Sequence, residues 1–185
     1  IGQWVSGGTP SRSRNDFWNG DFPWVSPKDM KKEIIFDSEE KLTKKALNGR
    51  VAILPPESLL IVVRGMILAH TFPVAMTGRE VTFNQDMKGI IPSSDFSPRF
   101  VFHWFKDNSI KILQSTEEST HGTKRLATDV LYGMQIPKPS RETQEKAVAA
   151  FEAFRAKLAE ISEHLISSQQ MMRNLRNVKL GGTHV

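Results

Sequence analysis

The sequence predicts an α+β protein: a small mixed α/β domain over residues 1–137, one long coiled-coil-forming α-helix over residues 138–180, and a tail of residues 181–185. Two observations predict this class. Up to about residue 137, short apolar runs alternate with proline and glycine, which is typical of a compact mixed domain. From Ser140 to Leu180 the chain contains neither glycine nor proline, and its apolar residues recur at helical spacing.

The segment Gly7–Met30 combines two adjacent glycines with prolines and tryptophans. Gly7-Gly8 permits positive φ angles, so a tight loop is expected there. Pro23 argues against a central β-strand, because proline cannot donate to a β-ladder. Ser26 and Pro27 predict a short helix, with the serine as N-cap and the proline at the first helical position. We therefore interpret this segment mainly as a folding device, a structured loop held by aromatic residues.

Five apolar and partly β-branched runs predict short strands: Val51–Leu54, Leu59–Val63, Met66–Ala69, Val81–Phe83 and Gly89–Ile91. Lys41–Asn48 predicts a short helix that ends near Gly49. Pro98–Asn108 is rich in aromatic residues and predicts a buried helix rather than a strand. Ser115–Leu126 is polar and predicts a loop centred on Gly122.

The long C-terminal helix carries a narrow apolar seam in heptad spacing: Phe151, Phe154, Leu158, Ile161, Leu165, Met172 and Leu175. A helix of this length would extend about 57 Å at about 1.5 Å per residue. We expect it to project from the domain and pair with a second long helix. The alternative is that it folds back over its own sheet. Gly181-Gly182 is predicted to end it.

Composition excludes several classes of protein. The chain has no cysteine, which excludes disulfides and thiolate metal sites and favours a reducing compartment. It has no secretory signal and no apolar run of about 18 residues, so we expect a cytoplasmic protein without a membrane partner. The net charge of +5 favours a polyanionic partner such as nucleic acid, although a merely basic protein has the same balance. Because the sequence begins with Ile1, we expect a fragment or a chain that has lost its start.

An ordered set of motifs resembles one known family. The motifs are GGTPS (Gly7–Ser11), FWNGDFPWVSPKDM (Phe17–Met30), LTKKAL (Leu42–Leu47), PPESLLIVVRGMIL (Pro55–Leu68), VTFNQDMKGIIP (Val81–Pro92) and IPKPSRETQEKAV (Ile136–Val148). In this order they are similar to a target recognition domain and the entry to a spacer helix. Both belong to the specificity (S) subunits of type I restriction–modification systems.

The resemblance implies a subunit without catalytic activity that reads one half of a split target in double-stranded DNA. It implies modification subunits, which methylate adenine with S-adenosylmethionine, and ATP-dependent restriction subunits, which cleave DNA, as partners. Family members usually carry two recognition domains, two long helices and a longer segment before the double glycine. The chain is therefore expected to be either half of such a subunit or a single-domain form that dimerises through its long helix.

The residues agree with a chain that lacks catalytic residues, cofactors and metals. It contains no methylation motif of the Asn-Pro-Pro-Tyr/Phe type, no glycine-rich cofactor loop and no Walker sequence. Asp86-Met87-Lys88 is similar to the end of a nuclease motif but lacks an upstream partner acid, and the histidines show no metal-ligand spacing. The alternative function is a coiled-coil interaction or scaffold protein with only non-specific DNA affinity.

Arginine, lysine and other hydrogen-bonding side chains on loops are the natural candidates for DNA contact. The candidates are Arg12, Arg14, Lys44, Lys45, Arg64, Arg79, Thr120, His121, Thr123, Lys124 and Arg125. For the cluster around Gly122 the alternative is a solvated loop, for Arg64 a structural ion pair, and for the two neighbouring lysines a solvated helix face. Asn84-Gln85 has the side chains of an adenine reader, but it belongs to a motif shared with the family, so we prefer a structural role.

Overall fold

The computed structural model describes residues 1–49, 51–118 and 122–180, with side chains as far as residue 176. The chain forms two compact units, one of Ile1–Gln144 and one that begins at Glu145. The first unit combines β-sheets with helices and the second is helical. The predicted α+β class, with mixed sheets and a long C-terminal helix, is confirmed.

The secondary-structure elements follow one another along the described residues. The strands are β1 (Gly2–Ser6), β2 (Trp18–Val25), β3 (Ile34–Ile35), β4 (Glu40–Leu42), β5 (Ile53–Leu54), β6 (Leu59–Val62), β7 (Arg64–Gly65), β8 (Val74–Thr77), β9 (Val81–Phe83), β10 (Met87–Pro92), β11 (Thr116–Glu118) and β12 (Lys124–Leu126). The α-helices are α1 (Lys44–Leu47), α2 (Pro98–Asp107), α3 (Ser109–Gln114), α4 (Thr128–Gly133) and α5 (Arg141–Leu180), and 3₁₀ helices span Asn15–Phe17, Pro27–Asp29 and Met66–Ala69.

The main core lies on a five-stranded sheet with the order β1-β10-β6-β8-β3. Strand β6 is buried along its whole length, because it lies in the middle of the sheet and all four of its residues are apolar. Helix α2 packs near β8, and the rings of Phe72 and Phe105 lie 6.3 Å apart in the core. The prediction of a buried helix at Pro98–Asn108 is thus confirmed, with Pro98 at its start.

A four-stranded sheet has the order β4-β2-β9-β5, and it corrects the expectation drawn from Pro23. Strand β2 contains this proline and pairs on both sides, antiparallel with β4 and parallel with β9. The ladder to β9 begins only at Trp24, and the Pro23 carbonyl accepts a hydrogen bond of 2.9 Å from Thr82 Oγ1. Pro23 therefore lies just before the ladder between β2 and β9, where the absence of its N–H does not remove a hydrogen bond.

A three-stranded sheet, β11-β12-β7, replaces much of the loop predicted at Ser115–Leu126. Its polar strands carry no alternating apolar pattern, so the sequence offered no strand signal. The predicted strand at Met66–Ala69 is also wrong, since these residues form a 3₁₀ helix. Gly65, with φ of 142°, ends strand β7 just before it.

Other local predictions are partly or fully confirmed. The helix predicted at Lys41–Asn48 is shorter, because Leu42 is buried in strand β4 and only Lys44–Leu47 is helical. Ser26 does cap a turn: its backbone N–H donates to Asp29 Oδ2 over 2.8 Å, and its hydroxyl donates to the same oxygen over 2.9 Å.

Helix α5 contains 40 residues, which corresponds to about 60 Å at about 1.5 Å per residue. At its start, the Thr143 N–H donates to Ser140 Oγ over 3.2 Å. All seven predicted seam residues are exposed, and so are Ile166 and Met171. The predicted stop at Gly181-Gly182 lies outside the described residues. Within the described part of the chain, none of the helices is both long and apolar enough to cross a membrane.

Candidate nucleic-acid interface

Most of the predicted DNA-contacting residues group on two surfaces of the first unit. We call the first the Arg12 surface, formed by Arg12, Arg14, Lys44 and Lys45. We call the second the β7–β12 surface, formed by Arg64, Thr123, Lys124 and Arg125. Arg79 lies on the exposed turn between β8 and β9, and Thr120 and His121 lie outside the described residues.

On the Arg12 surface, Arg12 is held by a carboxylate and two aromatic rings. Its guanidinium pairs with both carboxylate oxygens of Glu40 and lies 3.8 Å from the ring centroid of Trp18 and 4.9 Å from that of Trp24. The hydrogen bonds from Arg12 lower the pKa of Glu40, and they raise the pKa of Arg12. The Trp24 indole in turn donates to the Gly8 carbonyl over 2.9 Å, so the glycine loop and Arg12 are positioned together.

Arg14 and Lys45 share one carboxylate on the same surface. Arg14 donates to the two oxygens of Asp16 over 2.9 and 2.8 Å, and Lys45 approaches the same group. Hydrogen bonds from Arg14 and then from Lys45 hold the pKa of Asp16 well below its ordinary value. Lys44 makes no ion pair with any residue in the described ranges. Four cations and two carboxylates therefore leave this surface positively charged.

Arg79 belongs to neither of these groups. Its charge helps lower the pKa of Asp37, although the hydrogen bond from Lys41 to that carboxylate is the larger cause. Arg79, on the turn after β8, therefore lies near the ion pair between Lys41 and Asp37.

The β7–β12 surface brings together residues that lie far apart in the sequence. Strand β12 pairs antiparallel with β7, so that Arg125 lies opposite Arg64 and Lys124 lies opposite Gly65. The buried side chain of Leu126 and its N–H bond to the Val63 carbonyl, 2.9 Å long, anchor the strand. Residues directly opposite each other in a ladder project to the same face, so Arg64 and Arg125 lie side by side, whereas Lys124 projects to the other face of the sheet.

The cations of the β7–β12 surface differ in their partners. Lys124 Nζ lies 2.7 Å from Glu118, and Arg64 lies 3.9 Å from Asp86. Arg125 is exposed and makes no ion pair with any residue that the structure describes. Arg125 is therefore the cation of this surface that is most available to a phosphate or a base.

A loop at residues 84–86 lies between the glycine segment and the β7–β12 surface. Asn84 is buried, and its Oδ1 accepts from the Asp86 N–H over 3.1 Å, which agrees with a structural role. Gln85 is exposed and its Oε1 accepts a hydrogen bond from the Thr9 hydroxyl, while the Asp86 carbonyl accepts from the Arg64 N–H over 3.2 Å. This loop is therefore bonded to Thr9 in the glycine segment and to the backbone of Arg64 in strand β7.

A basic groove was missed in the sequence analysis. We call it the lysine groove: it has a volume of about 300 Å³ and lies between residues 27–33 and 67–74. Its lining includes four lysines and one glutamate: Lys28, Lys31, Lys32, Lys106 and Glu33. Glu33 pairs with Lys106 at 3.7 Å, which leaves the groove positively charged. The lysine-rich run KDMKKE at residues 28–33 was the signal that could have identified it.

In the described part of the chain, no group of three or more histidine, aspartate or glutamate side chains is arranged to hold a metal ion. What the structure does offer is a set of arginines and lysines on rigid sheet edges and turns, which suits hydrogen bonding to phosphates and base edges.

The α+β first unit, its basic surfaces and the long helix agree with what a comparison with known protein families finds over most of the chain. Residues 1–168 match the family model described as the type I restriction modification DNA specificity domain. The chain belongs to this family, and the resemblance predicted from its motifs is confirmed.

Particular relatives support the assignment. The specificity subunit of the type I restriction enzyme EcoR124I/EcoR124II from Escherichia coli is 33% identical over 167 residues, which cover 89% of this chain and 41% of that protein. The HsdS subunit from Thermoanaerobacter tengcongensis has a similar fold, with a TM-score of 0.66, 13% identity and coverage of 87% of this chain and 36% of that one.

A chain from a structure described as the basis of complex assembly and conformational transition of the type I R-M system also matches in fold. It has a TM-score of 0.70 and 13% identity, with coverage of 93% of this chain and 40% of that one. The chain therefore spans less than half the length of these relatives.

Proposed function

We propose that this chain is a DNA-recognition module of a type I restriction–modification system, which binds one half of a split target in duplex DNA. The observation that carries the proposal is the β7–β12 surface, where a β-ladder places Arg125 directly opposite Arg64 within the residues matched by the family model. Arginine and lysine on a rigid scaffold are the side chains that hold phosphates and read guanine edges.

We further propose that the chain has no catalytic activity of its own and acts through partners. Modification subunits would methylate the bound DNA and restriction subunits would cleave it. Helix α5 would pair with a second long helix, either from another copy of this chain or from a second half of the same subunit. The exposed seam on α5 supports this pairing, because an apolar stripe of this length is unfavourable in water.

The first experiment selects duplexes from a randomised pool, with the chain alone and with its cognate modification subunit. One short recovered motif would establish sequence recognition and identify the target. That motif would be repeated at a fixed spacing if the chain dimerises. Random sequences under both conditions would contradict the proposal.

A variant tests the β7–β12 surface directly. Arg125→Glu is expected to weaken duplex binding and to reduce the dependence of log K on log salt by about one phosphate contact. The matched control is Lys111→Glu, which reverses an exposed lysine on α3 outside the candidate surfaces. Equal binding by wild type and Arg125→Glu across a salt titration would remove this surface from the interface.

A second candidate function is a coiled-coil scaffold with only non-specific DNA affinity. It is favoured by the same exposed seam, which extends from Phe151 to Leu175. This candidate predicts tight association without any sequence preference on DNA. The pool selection therefore discriminates between the two functions.

A further inference from the structure

Two apolar side chains are exposed beside the β7–β12 surface. Met66 and Ile67, which we call the apolar ridge, retain 63% and 39% of their accessible surface. Leu68 in the same 3₁₀ helix is buried, so it anchors this turn in the core. Met66 and Ile67 are therefore two adjacent exposed apolar side chains on a turn that is anchored in the core.

The ridge is held by its backbone. Gly65 adopts φ of 142°, a conformation that side chains rarely allow, and so directs the chain from β7 into the turn. The N–H groups of His70 and Thr71 both donate to the Ile67 carbonyl, over 3.1 and 3.0 Å. Such a turn presents its side chains in one arrangement, which is what a recognition element requires.

Two cationic features adjoin the ridge. Strand β12 places Lys124 opposite Gly65 and Arg125 opposite Arg64, the residues directly before the ridge. Ile67 also lines the lysine groove. Lys31 and Lys32 of that groove make no ion pair with any described residue, so their charges are available to a ligand.

This arrangement matches duplex DNA better than a protein partner. A protein interface also has an apolar centre and a polar rim, but here the rim is formed by cations, and Arg125, Lys31 and Lys32 make no ion pair with any described residue, which favours a polyanion. A DNA groove offers the complementary pattern, with base edges between two phosphate strands. The apolar feature of base edges is the 5-methyl group of thymine in the major groove.

We propose that the apolar ridge contacts thymine methyl groups in the major groove, while the β7–β12 surface and the lysine groove bind the flanking phosphates. This inference rests on the proposed DNA-recognition function and adds base-contacting residues to it. It assigns different roles to neighbouring residues: Met66 and Ile67 contribute to sequence preference, and the cations contribute to general affinity.

The test uses the full chain with its cognate modification subunit, a duplex selected from the randomised pool, and a scrambled duplex of equal length. The double variant Met66→Ser/Ile67→Thr is expected to lose about tenfold in affinity for the selected duplex. Its affinity for the scrambled duplex and its salt dependence should stay unchanged. Met66→Leu, which keeps an apolar side chain, should retain binding, and Ile110→Ser provides a matched exposed apolar control on α3.

A change in the DNA tests the ligand. Replacing thymine by uracil removes only the methyl group, and for wild type each contacted position should lose about fourfold in affinity. The ridge double variant should show no further loss with uracil.

Several results would overturn the inference. They are an equal loss on both duplexes, no effect of uracil on wild type, or a loss confined to binding of the modification subunit. If wild type recovers no motif from the pool, the proposed function fails together with this inference. If wild type recovers a motif but the ridge variant binds it normally, this inference alone fails.

Discussion

Gln144 provides a sharp test of how the first unit is closed. Its side chain is fully buried and makes three hydrogen bonds. Its Oε1 accepts from the Ser97 N–H over 2.8 Å, and its Nε2 donates to the carbonyls of Asp95 and Pro139 over 2.8 and 2.9 Å. Ser97 is the N-cap of α2. One amide therefore links the start of α2 to the segment before α5.

The expected cost of Gln144→Ala follows from these bonds. A buried donor without a partner costs about 1–3 kcal/mol, and each of the two carbonyls loses about 1 kcal/mol of net hydrogen bonding. We therefore expect the free energy of unfolding to fall by about 3–5 kcal/mol. With a urea slope of about 2 kcal/mol/M, the midpoint would fall by about 1.5–2.5 M.

The assay is urea unfolding followed by tryptophan fluorescence. All four tryptophans lie in the first unit, so the signal reports on this unit alone. The matched control is Thr143→Ala at the exposed neighbouring position, where we expect a change of about 0.5 kcal/mol or less. A loss below about 1 kcal/mol for Gln144→Ala would refute the reasoning, because it would mean that water replaces the amide without penalty.

Two further predictions concern the Arg12 surface and helix α5. At neutral pH, Asp16→Asn should be less stable than wild type, because the depressed pKa of Asp16 in the folded state contributes stability above its ordinary value of 3.8. This difference should shrink as the pH falls below 3.8 in thermal unfolding scans, and a difference that is constant with pH would contradict the pairing with Arg14 and Lys45. Leu158→Asp/Ile161→Asp should abolish self-association in sedimentation experiments while tryptophan-detected unfolding stays unchanged, because two charges would interrupt the exposed seam. An unchanged oligomeric state would exclude the seam as the interface.

Elements with strong local signals could be predicted from the sequence. Helix α5 follows from a long stretch without glycine or proline, and α2 follows from its run of aromatic residues. The turn capped by Ser26 also depends on neighbouring residues alone. In each case the residues that specify the element lie within it or directly beside it.

Elements that depend on distant partners were missed. Strand β2 exists because β4 and β9 pair with it, despite Pro23. Strands β11 and β12 are polar and take their structure from pairing with each other and with β7. The turn at Met66 looked like a strand, because an apolar run of four residues has no period that distinguishes the two.

The sequence was enough to predict the family, the charge balance, the long helix with its seam and the kinds of side chain available for DNA contact. These properties depend on composition, motif order and local periodicity. Other features became visible only in the folded chain: Arg125 lies opposite Arg64, carboxylates hold Arg12 and Arg14, and an apolar ridge adjoins the lysine groove. Strand pairing and side-chain packing join segments tens of residues apart, and the energies that select those partners do not appear in any local pattern.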